Sequence, residues 1–148
     1  MSDLSSVIRH KVTVDDYHNL AAAGILYEDS RVELIEGELI EISPIGPPHT
    51  WMINRQTKWL VRTAGESAVV SVQNSVRLSH HSEPEPDFVL LRAEMANGRR
   101  RIPITSDAPL VIELADSSLA YDRDIKLSSY ARASVPAVWI INIQDKCM

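Results

Sequence analysis

The spacing of apolar and polar residues predicts three helices. Thr13 and the acidic Asp16 have the pattern of a helix N-cap and its third helical residue, and apolar residues then recur on one face until Gly24. The same helical spacing is found over residues 49–63 and residues 121–133. These three segments supply the helical part of the predicted fold.

Period-two alternation and short apolar runs predict the strands. Residues 31–42 alternate on either side of Glu36-Gly37, which is typical of a β-hairpin. Residues 87–91 and residues 110–114 are near-continuous apolar runs, the pattern of buried strands. Further strands are predicted over residues 68–72, 76–78 and 137–142. Strands separated by helices indicate an α/β (α+β) fold, a mixed β-sheet flanked by helices.

The composition is that of one soluble domain. The chain has 148 residues, of which 45% are hydrophobic and 24% are charged, so it can bury a core without disulfides. We expect residues 1–12 to be a lead-in and residues 13–148 to form a single domain. The one cysteine, Cys147, cannot form an internal disulfide. No apolar run approaches the ~20 residues of a membrane span, and no signal-peptide pattern is present, so we expect a cytoplasmic protein.

The net charge disfavours one class of function, passive coating of nucleic acid. At −5, the chain lacks the basic character of a protein that coats nucleic acid through phosphate contacts alone. An acidic balance is compatible with an enzyme that gathers carboxylates around a cation, since such a site is itself acidic.

Carboxylates occur at positions where the pattern predicts burial. Glu113 lies inside an apolar strand, where an ionised side chain costs several kcal/mol unless it is paired or bound to a cation. Asp87 opens the preceding apolar run, and two such acids on neighbouring strands can share one divalent ion. An oxygen-only donor set favours Mg²⁺ or Mn²⁺ over Zn²⁺. Lys126, one helical turn before Tyr130, can reach the same place and offset charge on a phosphorus centre, and Glu33 of the hairpin adds another acid.

Each of these residues also has an ordinary structural interpretation. Glu113 could point to solvent from an edge strand, or it could form an ion pair with an arginine. Asp87 fits a turn residue after Pro86, and Lys126 and Glu33 fit exposed positions. The combination of all four, in this order, is what favours a shared site.

The motifs that carry a family resemblance are, in chain order, Arg31-Val-Glu33 with Gly37, Pro86-Asp87, Leu110-Val-Ile-Glu113, Asp122-x3-Lys126-x3-Tyr130, Val135-Pro136 and Trp139-Ile-Ile. Their order and spacing resemble the Uma-type restriction endonuclease family of the PD-(D/E)XK nuclease superfamily. The resemblance covers residues 12–142, and it implies a restriction-endonuclease-like mixed sheet with helices on both sides.

The resemblance also implies a catalytic set. Asp87 and Glu113 would bind the metal, Lys126 would be the lysine of the site, and Glu33 would be the acid contributed by the first motif. The lysine of the superfamily normally follows two residues after the second acid, where this chain has Ala115. The family takes its lysine from the following helix, which makes Lys126 decisive.

Two further expectations come from the same resemblance. His49, at the start of the second predicted helix, would lie near the site, with the alternative that it is a structural hydrogen-bonding residue. The family continues beyond the Trp139-Ile-Ile strand with more strands, whereas this sequence stops at Met148. Whether this short form is natural or truncated, a missing C-terminal hairpin would leave a sheet edge bare, which favours a homodimer or lowers stability.

These observations predict an endonuclease, dependent on Mg²⁺ or Mn²⁺, that hydrolyses DNA phosphodiester bonds. Candidate phosphate contacts are Arg99, Arg100 and Arg101, together with Arg55, Lys58 and Arg62 on the side of the second helix opposite its apolar residues. A solvated loop explains the arginine triplet equally well. Two alternatives remain: a non-catalytic DNA-binding or regulatory module of the same fold, and a structural or interaction protein in which Glu113 is merely paired.

Overall fold

The helices and strands follow the predicted order along the chain. The computed structural model describes residues 6–27, 29–42, 45–98, 100–116 and 119–144. The strands are β1 (Val32–Ile35), β2 (Glu38–Glu41), β3 (Ala68–Val72), β4 (Phe88–Arg92), β5 (Leu110–Ala115) and β6 (Ala137–Asn142). The helices are α1 (Val14–Ala22), α2 (Pro47–Ala64), α3 (Leu119–Tyr121) and α4 (Leu127–Arg132), with a π-helical segment (Asp122–Lys126) joining the last two. Short 3₁₀ turns lie at Ala93–Ala96 and Thr105–Asp107.

Four strands form a mixed sheet in the order β3-β4-β5-β6. β3 pairs with β4 and β4 with β5 in antiparallel fashion, whereas β5 and β6 are parallel. β1 and β2 form a separate antiparallel hairpin. The predicted mixed sheet with helices is therefore confirmed.

The two faces of the sheet are covered by different helices. Between α2 and the sheet the buried apolar residues are Ile53, Leu60, Phe88, Ile112 and Leu114. On the opposite face they include Val89, Leu91, Val111 and Tyr130 of α4. Because side chains alternate along a strand, Glu113, between Ile112 and Leu114, lies on the α4 face. The strand thus directs one carboxylate toward the helix that carries Lys126.

The β1–β2 hairpin is held beside the sheet by the segment that precedes β4. Leu34 of β1 forms a bridge with Glu83, whose backbone N–H donates to the Leu34 carbonyl at 2.8 Å. The Glu83 side chain is itself fully buried, and it is paired with His18 Nε2 at 2.7 Å and Arg77 Nε at 3.3 Å. The backbone bridge between Leu34 and Glu83 fixes β1, and with it Glu33, against the rest of the molecule.

The helix boundaries show where local sequence rules hold and where packing overrides them. The capping box of Thr13 and Asp16 at the start of α1 is present, as predicted. α2 begins at Pro47, two residues before the predicted start, because proline is well suited to a first helical turn. Residues 76–78 do not form the predicted strand, and only Arg77 forms an isolated bridge, with Ile104. Their backbone N–H groups donate hydrogen bonds to carbonyls of nearby loop residues instead of to a neighbouring strand.

Two further points complete the comparison with the predicted elements. Ser43 and Pro44, which follow the predicted hairpin in the sequence, lie outside the described residues. Within the ranges that the structure describes, no helix has the length and apolar character needed to cross a membrane.

Candidate active site

Lys126 lies between two buried carboxylates. Its Nζ is 3.0 Å from Glu33 Oε1 and 2.5 Å from Glu113 Oε1. The three residues are nearly inaccessible to solvent, with exposed fractions of 3% for Lys126, 0% for Glu33 and 3% for Glu113. They come from the π-helical segment, β1 and β5, which are far apart in the sequence. Burial alone lowers the pKa of Lys126, but Glu113, with Tyr130 and Glu33, outweighs it, so the pKa is raised well above its ordinary value.

Glu113 is also held by the helix that follows Lys126. Tyr130 Oη donates a 2.6 Å hydrogen bond to Glu113 Oε1, the oxygen that contacts Lys126. The other oxygen, Oε2, lies 3.4 Å from the backbone N of Asp87. Burial raises the pKa of Glu113, and the charge of Lys126 opposes this shift and favours the ionised carboxylate, whereas Asp87 and Glu33 act in the same direction as burial.

Asp87 is fixed by the neighbouring strand and by α2. Its Oδ2 accepts a 2.7 Å hydrogen bond from the backbone N–H of Leu114, directly after Glu113. Its Oδ1 lies 3.1 Å from His49 Nε2, in the first turn of α2. The hydrogen bond with Asp87 raises the pKa of His49, against the effect of burial. The turn before β4 and the start of α2 therefore meet at one carboxylate.

These groups line a cavity of about 270 Å³ at this end of the sheet. Besides Asp87, Glu113, Lys126 and His49, its wall includes residues that the sequence analysis gave no role: Arg31, Glu85, Asp116, Tyr121 and Asp122. The sequence pattern could have indicated two of these residues as candidates. Glu85 belongs to the alternation of acids at positions 83, 85 and 87, and Asp122 is one helical turn before Lys126. The signal for Asp116 and Arg31 was too weak, because each lies in a polar stretch at the end of a strand.

Glu33 contacts further groups in addition to Lys126. The backbone N–H of Glu85 donates to Glu33 Oε1 at 2.8 Å, and Tyr121 Oη lies 3.4 Å from Glu33 Oε2. Partial burial in the cavity wall raises the pKa of Glu85, with a further contribution from the charge of Glu33. Glu33 is thus a buried carboxyl group that contacts both the lysine and the backbone of the acidic wall.

The helix that supplies the lysine is irregular at the site. Residues 119–132 are helical, but Asp122–Lys126 adopts π-helical hydrogen bonding, with the Leu127 N–H donating to the Asp122 carbonyl. Single π-turns inside helices are frequently found at functional sites. Here both Asp122 and Lys126 are buried at the cavity.

Asp87 and Glu113 are the residues that can hold a divalent cation. In the part of the chain that the structure describes, no three His, Cys, Asp or Glu side chains are arranged as a metal cage. Mg²⁺ does not require one, because it binds through one or two carboxylates and completes its shell with water and substrate phosphate. Two oxygen donors that line one cavity, Asp87 in the turn before β4 and Glu113 on the adjoining β5, fit that requirement.

The predicted phosphate contacts are not gathered at this cavity. Arg99 lies outside the described residues. Arg100 and Arg101 line a separate, open depression with Ser71 and Asn74, which shares no lining residue with the acidic cavity. Arg101 makes a bidentate ion pair with Asp107, at 2.6 and 3.1 Å.

The protein has a restriction-endonuclease-like fold, a mixed sheet with helices on both faces. The family model Uma2, described as "Putative restriction endonuclease", matches residues 14–147, so the chain belongs to the Uma2 family. The same fold is found in the crystal structure of "a putative nuclease belonging to DUF820" from Anabaena variabilis, with a TM-score of 0.68 and 13% sequence identity. That match covers 88% of this chain and 74% of the other.

The family model confirms the family resemblance predicted from the sequence, and the structural match confirms the predicted fold class. Among curated proteins, no sequence matches the chain.

Proposed function

We propose that this protein is an endonuclease that hydrolyses DNA phosphodiester bonds, with Mg²⁺ or Mn²⁺ held by Asp87 and Glu113. The observation that carries the proposal is the buried contact of Lys126 with Glu33 and Glu113 at the wall of an acidic cavity. Burying three ionisable groups is costly, and a purely structural core has no need of such a cluster beside an open cavity. The family assignment supports the same reading.

The chain's own residues have distinct roles in this proposal. Flanked by two carboxylates, Lys126 stays charged, so it offers a fixed positive charge to the phosphate rather than a base. Glu33 positions Lys126, Tyr130 positions Glu113, and His49 positions Asp87 through the contacts described above. A divalent cation at the two acids supplies positive charge that polarises the phosphate and acidifies water. Hydrolysis forms a bond from a water oxygen to phosphorus and breaks the bond to one sugar oxygen, which leaves with a proton.

Nicking of supercoiled plasmid tests the proposal. We expect the wild-type protein to nick DNA with Mg²⁺ or Mn²⁺ and to be inactive with EDTA. Asp87→Asn and Glu113→Gln should each abolish nicking. The matched control is Glu83→Gln, because Glu83 is as deeply buried and also ion-paired but does not line the cavity.

The outcomes separate the candidate functions. If Glu83→Gln keeps its activity while the two site variants lose theirs with their folds intact, the site is established. Salt-sensitive retention on DNA without cleavage at any metal would instead favour the non-catalytic module. Equal activity in wild type and both site variants would refute the proposal.

A further inference from the structure

The outer face of α2 carries two exposed tryptophans. Trp51 is 58% exposed and Trp59 is 52% exposed, although large aromatic side chains are highly buried on average. The helix turns His49, Ile53 and Leu60 toward the protein, so these tryptophans do not belong to its buried stripe. The sequence analysis placed the basic residues of this helix opposite its apolar ones, but the structure puts both tryptophans among the basic residues.

The same face is basic. Arg55, Lys58 and Arg62 are exposed, and α2 contains no acidic residue in its 18 positions, although the whole chain has a net charge of −5. At about 100° per residue, the five side chains fall within a sector of roughly 100°. The Arg55 guanidinium lies 5.2 Å from the Trp51 ring centroid. We call Trp51, Arg55, Lys58, Trp59 and Arg62 the aromatic–basic face.

We propose that the aromatic–basic face binds an unpaired stretch of a DNA strand, with bases stacked on Trp51 and Trp59 and phosphates on the three cations. The inference deepens the proposed function and rests on it for DNA as the substrate. An indole ring can stack on a base only where that base is not already stacked within a duplex, and such stacking tolerates any sequence. Duplex contacts alone would use the cations and leave two exposed indole rings without a role.

The position of the face on α2 supports this occupant. Trp51 follows two residues after His49, which lines the acidic cavity, so the face begins at the same end of α2 as the site but on the opposite, outward side of the helix. Trp51 and Trp59 are about 12 Å apart along the helix axis, at about 1.5 Å per residue. At about 3.4 Å per nucleotide in a stacked strand, this distance spans more than one nucleotide. Arg55 and Lys58 lie between the two rings along the helix, where they can contact the phosphates that link the two stacked bases.

Binding can be measured without cleavage. With EDTA present, fluorescence anisotropy should show that labelled oligothymidine of about 15 nucleotides binds more tightly than the matched duplex. Trp51→Ala with Trp59→Ala should weaken oligothymidine binding by about tenfold or more for each ring, and duplex binding much less. The matched control is Trp139→Ala on β6, a tryptophan that is 50% exposed and does not belong to the aromatic–basic face.

The control variant offers a second readout. The sequence has three tryptophans, so Trp139→Ala leaves only the two on the aromatic–basic face. We expect oligothymidine to quench most of its remaining fluorescence. Arg55→Gln, Lys58→Gln and Arg62→Gln together should reduce the slope of log Kd against log salt by about 2, at roughly 0.7 for each phosphate contact on a single strand.

The results distinguish this inference from the proposed function. Oligothymidine binding that depends on Trp51 and Trp59 supports the inference even if plasmid nicking fails. Unchanged binding in the double tryptophan variant overturns the inference even if the acidic site cleaves DNA. A double variant that loses self-association instead of DNA binding would overturn it as well, because the face would then be a protein–protein contact.

Discussion

Lys126 and Glu113 form a buried ion pair between a helix and the strand beneath it, with 2.5 Å between Nζ and Oε1. In the superfamily pattern the lysine follows two residues after the acid on the same strand, where this chain has the fully buried Ala115. Here the amine instead reaches the acid from the helix. The docking of that helix on the sheet therefore determines the distance between the two charges.

Replacement of Lys126 should affect both stability and activity. Lys126→Met leaves Glu33 and Glu113 buried without the cation between them, so we expect a loss of about 3 kcal/mol in the free energy of unfolding. Plasmid nicking should fall by roughly 100-fold or more, because a charge facing the phosphate is removed. Urea denaturation and nicking rates at a temperature where the variant is folded provide the two measurements.

A double variant separates the two effects of that replacement. Lys126→Met combined with Glu33→Gln removes one of the stranded carboxylates, so part of the lost stability should return while nicking stays low. Recovery of nicking together with stability would show that Lys126 has only a structural role.

The hydrogen bond from Tyr130 to Glu113 can be removed without a change in size. Tyr130→Phe keeps the packing on the sheet but leaves a buried carboxylate with one donor fewer, which should cost about 2 kcal/mol. Since Tyr130 positions Glu113, we expect a decrease in nicking that is partly compensated by higher concentrations of Mn²⁺. A rate that is equally low at every Mn²⁺ concentration would contradict a positioning role.

Metal binding should be visible as thermal stabilisation, independently of any cleavage. A cation that binds the native state alone stabilises it by about 2.7 kcal/mol at a hundredfold excess over its Kd. We expect Mg²⁺ or Mn²⁺ to raise the Tm of the wild type and of Glu83→Gln. The double variant Asp87→Asn, Glu113→Gln should show no such rise, and an equal rise in all three proteins would place the ion elsewhere.

The ion pair of Arg101 and Asp107 should make a contribution to stability that is lost in acid. The hydrogen bond from Arg101 holds the pKa of Asp107 below its ordinary value of 3.8, against slight burial. The unfolded state then binds more protons than the native state between the two pKa values, so this contribution is present above about pH 4 and disappears as the pH falls further. Thermal unfolding of wild type and Asp107→Asn should differ at neutral pH and converge in acid.

The same variant tests whether the arginine loop contacts DNA. Asp107→Asn releases Arg101 from its bidentate partner, so DNA retention should become stronger at low salt if this loop binds phosphate. Arg101→Gln should then weaken it. If DNA retention is unchanged in both variants, the ion pair of Arg101 and Asp107 has only a structural role in the loop.

The acids of the site were predictable from the sequence because a charged side chain is unexpected inside or beside a buried apolar strand. Glu113 places a charge inside an apolar strand, and such a residue needs a partner or a cation. The sequence analysis also expected Lys126 to reach the place where Glu113 lies, and the structure shows the two side chains in contact. Glu33 was recognisable through the family pattern, since its strand alone does not show which face is buried.

Other features depend on tertiary packing and left little trace in the sequence. The π-helical hydrogen bonds of Asp122–Lys126 have no composition signal, because the same residues are compatible with a regular α-helix. Trp51 and Trp59 were expected with the apolar residues of α2, and only the docking of that helix shows that they face outward. The pairing of Arg101 with Asp107 likewise depends on the path of the loop between β4 and β5.

The irregular helix has a consequence for how the site can change. In a regular α-helix, side chains five positions apart point in directions that differ by about 140°. The i→i+5 hydrogen bond of a π-turn brings two such side chains closer to the same side of the helix. Tyr121 and Lys126 are five positions apart, and both side chains reach Glu33. A substitution that straightened this turn would detach the phenol from the carboxylate and leave every cavity-lining residue unaltered in the sequence.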